Sequence, residues 1–67
     1  MNLPKPHELR VLNEHSDLTT KIESLLKFLS LPSSERKCSE EETSILYDQY
    51  HAMNEYKKIL EYRIGKF

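Results

Sequence analysis

Apolar residues in the first half of the chain fall at positions that a helix brings together. At about 100° per residue, Val11, Leu18, Ile22, Leu25, Leu26 and Leu29 share one narrow sector, and His15 lies within it. The spacings 11–18–25 and 15–22–29 are those of a short coiled-coil seam with His15 as its polar member. In the second half, Leu46, Met53, Leu60 and Phe67 repeat every seventh position, with Tyr50, Tyr56 and Ile64 beside them. Ile45, Ala52 and Ile59 widen that apolar sector beyond a simple seam.

The helix breakers mark where these patterns end. Prolines stand at 4, 6 and 32, and the single glycine is Gly65. Proline is tolerated in a first helical turn and not deeper, so Pro6 marks the start of the first helix. Pro32 stops it, and the stretch "PSSERKC" over 32–38 has the residues of a turn. "SEEE" follows, in which Ser39 and Glu42 have the spacing of a capping box. Three glutamates there suit the positive end of a helix. The pattern predicts an all-α fold, a hairpin of two long antiparallel helices over about residues 7–30 and 40–64. Residues 1–6 are an extended lead-in, and 1–67 form a single domain. No internal repeat or low-complexity segment interrupts it.

Each helix would be about 36 Å long at 1.5 Å per residue. An isolated pair of that length leaves one flank of each apolar stripe wet, and a chain of 67 residues builds only a small core. The broad sector on the second helix therefore predicts a homo-oligomeric helical bundle, filled by helices from other copies.

The formal charge is −1 with neutral histidines, and neither helix has a one-sided basic face, so DNA or RNA binding is not expected. No apolar run approaches the roughly 18 residues of a membrane helix. The opening "MNLPKPHELR" lacks the basic-then-apolar plan of a signal peptide. Cys38 is the sole cysteine, which excludes an intrachain disulfide and suits a reducing compartment. The expectation is a soluble cytoplasmic protein.

Catalytic chemistry is missing from the pattern. His7, His15 and His51 include no pair at i, i+3 or i+4, and Cys38 has no companion, so no metal or cofactor is expected. There is no phosphate-cradling glycine loop and no nucleophile turn. Cys38 sits beside Arg36 and Lys37 but has no base placed to use it, and reads as an inert loop thiol. An enzyme is not expected.

A line of charge runs beside the first apolar sector, made by Arg10, Glu14, Asp17 and Lys21 and extended by Phe28. Arg10 with Glu14 and Asp17 with Lys21 are i, i+4 pairs, each worth about 0.2–0.5 kcal/mol as surface decoration. The same line would serve as a polar ledge for a ligand or a symmetry mate. The second helix offers a counterpart: Gln49, Tyr56 and Arg63 form a line at heptad spacing, with Tyr50 and Lys57 on the other edge. An arginine that forks onto a phosphate, near a tyrosine that stacks on a base, is a minimal nucleotide-binding set. Tyrosines at helical spacing also serve as core or interface residues.

Written out, the chain reads "RV..E...L..KI..L..FL", a short linker, then "E..S.L..QY.AM..Y...L..RI..F". This resembles a family of small phage-encoded helical-hairpin proteins, over Arg10 to Phe67. The less generic positions are Arg10, Glu14, Lys21, Gln49, Met53, Tyr56, Arg63 and Phe67. Such proteins are similar in turn to the hairpin domain of phage anti-CBASS and anti-Thoeris sponges. The resemblance implies oligomers, typically hexamers, that sequester cyclic nucleotide immune signals without cleaving them. A ligand-contacting lysine of the better-known sponges falls near Leu12 here, and their N-terminal tyrosine has no counterpart before Tyr47. A ligand of this chain would therefore use other residues.

The expected function is an oligomeric sponge for a cyclic oligonucleotide or related nucleotide signal. Arg10, Lys21 and Arg63 would meet phosphates, Tyr50 or Tyr56 would stack on bases, and Glu14 and Gln49 would orient the basic groups or read base edges. The alternative is a small helical protein-interaction module or phage regulator that docks on a host protein through the second helix. A purely structural oligomer is the third possibility.

Overall fold

The computed structural model describes residues 3–67, so residues 1 and 2 of the expected lead-in lie outside it. Two helices, α1 over Pro6–Leu29 and α2 over Glu40–Ile64, pack against each other as an antiparallel hairpin. Their bounds agree with the sequence expectation to within a residue. The described residues make a thin rod of 51 × 16 × 14 Å.

Local chemistry sets each end. Pro6 occupies the first turn of α1, and the Glu8 carboxylate accepts from the Lys5 backbone N–H at 2.9 Å. Ser39 caps α2, its Oγ accepting from the Glu42 N–H at 3.1 Å, with Glu40, Glu41 and Glu42 in the first turn. Between the helices, the Glu35 and Arg36 N–H groups donate to the Pro32 carbonyl at 2.8 and 3.1 Å. Arg36 Nη1 reaches back to the Leu29 carbonyl at 3.2 Å and satisfies a free acceptor at the end of α1. Cys38 Sγ lies 3.2 Å from the Thr43 hydroxyl, which itself donates to the Ser39 carbonyl, so the thiol is part of the turn.

The core is narrow. Val11, Leu18 and Ile22 of α1 cluster with Leu60 of α2, and Tyr50, Met53 and Ile64 pack against them half-buried. Leu29 is also buried, near the turn. Among the described residues Leu60 alone is fully buried, and no polar or charged residue is buried. α1 buries four residues and α2 one. Leu46 is half-buried, whereas other apolar positions of α2 stay in water: Ile45 is 57% exposed and Ile59 58%. Leu26 and Phe67, expected within the apolar sectors, are also exposed, because one neighbouring helix covers less than a full apolar sector. No described helix is long and apolar enough to cross a membrane.

Candidate functional site

An open-sided pocket of about 380 Å³ lies along one flank of the hairpin. Arg10, Asn13, Glu14, Asp17, Leu18 and Lys21 of α1 line it, and Tyr56 closes it from α2. The charge line beside the core of α1 thus forms one wall of a concavity. Leu18, which belongs to the core, supplies an apolar floor. Arg10 and Lys21 stand at opposite ends, about 16 Å apart along the axis at 1.5 Å per residue. Glu14 and Asp17 lie between them, and Tyr56, 42% exposed, offers part of its ring to the opening.

Neither i, i+4 pair of this line closes. The ion pairs within 4 Å among the described residues are Lys58–Glu55 and His15–Glu61. An exposed pair gains a fraction of a kcal/mol and loses side-chain freedom in forming, so the open arrangement costs little. It leaves the Arg10 and Lys21 cations free for another acceptor.

Four of the seven residues singled out in the sequence, Arg10, Glu14, Lys21 and Tyr56, line this pocket. Gln49, Tyr50 and Arg63 do not. Gln49 and Arg63 stand one heptad to either side of Tyr56 on an exposed line of α2, and the Gln49 amide lies 3.8 Å from Met53 Sδ. Arg63 sits at the end of the hairpin that also carries Arg10. Tyr50 faces the other flank: its ring packs against the core and meets His51 edge-on at 5.7 Å between centroids. Asn13 lines the pocket although the sequence reading did not select it. It falls outside the charge line, and only the pocket's breadth brings it in. Among the described residues no group of three or more His, Cys, Asp or Glu is placed to hold a metal ion.

The pocket is therefore an aromatic edge, two unpaired cations, two carboxylates and an amide on a helical hairpin. A family model described as Sequestin matches residues 5–66. The chain belongs to the Sequestin family. Sequestins are phage anti-defence proteins that act as cyclic-nucleotide sponges. Comparison with curated proteins and with solved structures returns no match. The Sequestin match spans both helices and the turn, and so covers every residue that lines the pocket.

Proposed function

We propose that this Sequestin hairpin binds a cyclic oligonucleotide or related nucleotide immune signal and sequesters it without cleaving it, in the cytoplasm of a phage-infected cell. The observation that carries this reading is the pocket itself: two unpaired cations and a tyrosine face one concavity on a hairpin of a sponge family. In it Arg10 and Lys21 meet phosphate oxygens and Tyr56 stacks on a base. Glu14, Asp17 and Asn13 face the groups between the phosphates. Arg63 and Gln49 extend the ledge on either side of Tyr56. Sequestration needs tight, reversible binding and no catalytic group, so the hairpin acts as a sponge and not as an enzyme.

The ligand-binding form is a homo-oligomer, and the resemblance to phage sponges points to a hexamer. Exposed Ile45, Ala52 and Ile59 lie at heptad spacing on the side of α2 that carries Tyr56. A second hairpin seated on this stripe covers apolar surface left in water and walls the open side of the pocket. The pockets then lie between hairpins.

A thermal-shift panel of cyclic di- and trinucleotides and cyclic ADP-ribose isomers, with the solution mass recorded alongside, tests the proposal. A ligand that binds the folded state raises the melting temperature by mass action, and a sponge releases it unchanged on denaturation. No shift from any member would turn the reading toward a host-protein docking module. The exposed apolar face of α2 favours that second reading, and Tyr62, 68% exposed, adds to it.

A further inference from the structure

The pocket joins two cations to two carboxylates, so its formal charge is zero. A site selected only to hold phosphates has no use for Glu14 and Asp17, because each repels a phosphate and competes with it for Arg10 and Lys21. We infer that Glu14 and Asp17 are specificity determinants that admit cyclic nucleotides and exclude linear nucleotides with terminal phosphates. The inference rests on the proposed nucleotide-binding reading of the same pocket.

The chemistry runs in two directions. A phosphodiester in a cyclic nucleotide carries one negative charge and has no second ionisation. A terminal phosphate carries close to a second charge at neutral pH. Two cations suit two phosphates that carry a single charge each. They do not suit a terminal polyphosphate, whose further charge lies against the two carboxylates. Beside its phosphates a cyclic nucleotide presents ribose hydroxyls and base N–H groups, and an ionised carboxylate only accepts hydrogen bonds. Glu14 and Asp17 are thus matched to the donors of the right ligand and opposed to the charge of the wrong one. Specificity of this kind depends on a repulsive element as much as an attractive one. It also has a purpose: a sponge must take up a scarce signal in a cytoplasm rich in ATP.

The test is isothermal titration of the wild-type protein and of the double variant Glu14→Gln, Asp17→Asn. The ligands are cyclic di-AMP, cyclic di-GMP, cyclic GMP–AMP, cyclic ADP-ribose, ADP and ATP. Both substitutions keep side-chain size and an acceptor oxygen, and circular dichroism checks that the helices are retained. The expected result is a cyclic ligand that the wild type prefers to ATP, and a ratio that narrows by about tenfold or more in the variant because ATP binding strengthens. An unchanged ratio overturns the inference and leaves the sponge reading standing. A variant that loses the cyclic ligand while ATP stays weak also overturns it, and would make the carboxylates positioning residues for Arg10 and Lys21. If neither protein binds any cyclic nucleotide, the sponge reading falls and this inference with it.

Discussion

His15 Nε2 lies 3.0 Å from Glu61 Oε2, a hydrogen bond that ties α1 to α2 across 46 residues of chain. An ionised carboxylate only accepts, so the imidazole donates. The bond sits at the edge of the narrow core and forms only in the register that sets which turn of α2 faces which turn of α1. A one-turn slip would part the two groups and displace Tyr56 from its place opposite the Arg10–Lys21 line. A double-mutant cycle with His15→Ala and Glu61→Ala, followed by urea denaturation, should give a coupling of about 0.5–1 kcal/mol for a pair this exposed. Additive losses would show that the bond adds no stability to this register.

Leu60 is the centre of the hairpin core. Replacing it with alanine should cost about 2–5 kcal/mol, the usual range for a buried leucine. In a domain this small that is a large fraction of total stability. Loss of the cooperative thermal transition by circular dichroism is the expected outcome. A fall in melting temperature of only a degree or two would mean that other contacts carry the fold.

Much of this architecture is legible in the residues, and the rest fails for identifiable reasons. Proline and glycine placement, the Ser39 cap and the periodicity of Val11, Leu18 and Ile22 define the helices, because those signals are local. The His15–Glu61 bond is not local. Glu61 lies to one side of the apolar sector of α2, and its partner depends on the register that the turn imposes. Leu26 illustrates the converse: periodicity places it toward the core, yet a single neighbouring helix does not reach it. In the candidate site, the charge line is visible at i, i+4 spacing, but its pairs staying open and Tyr56 facing it are matters of packing. Helical spacing already sets Tyr50 and Tyr56 on different edges of α2, but which of them meets the charge line depends on the packing: Tyr56 lines the pocket and Tyr50 packs on the core.

Ile59 is 58% exposed and touches little within one hairpin. Ile59→Lys should leave helicity intact and lower the solution mass toward that of a single chain, read by light scattering after size exclusion. A variant that keeps the wild-type mass would remove the Ile45–Ala52–Ile59 stripe as the assembly face.

Gly65 ends α2 with φ −64°, in the ordinary right-handed region. An added Cβ would meet only the Glu61 and Tyr62 carbonyls at 3.5 Å, an ordinary contact. Gly65→Ala should therefore be neutral or stabilise by up to about 1 kcal/mol through reduced freedom of the unfolded chain. Destabilisation measured by urea denaturation would indicate a backbone requirement at this position beyond the geometry described.

The three arginine and lysine candidates separate by position. Arg10 and Lys21 line the pocket, whereas Arg63 stands on the neighbouring line of α2. Hydrogen bonds to charged groups are worth about 1.5–3 kcal/mol, so Arg10→Ala or Lys21→Ala should weaken binding of the cyclic ligand by roughly 10–150-fold. Loss of only one phosphate contact should leave the solution mass unchanged. Arg63→Ala distinguishes two sites. If the ligand sits within one hairpin, its affinity should change by less than about threefold, well below the loss of a charged hydrogen bond. If the ligand lies between hairpins, Arg63 reaches it and its removal should cost as much as that of Arg10, again with the oligomer intact. An Arg63→Ala protein that falls to single chains would make this arginine an interface residue and withdraw it from the site. Titration and solution mass on the same three variants decide among these arrangements.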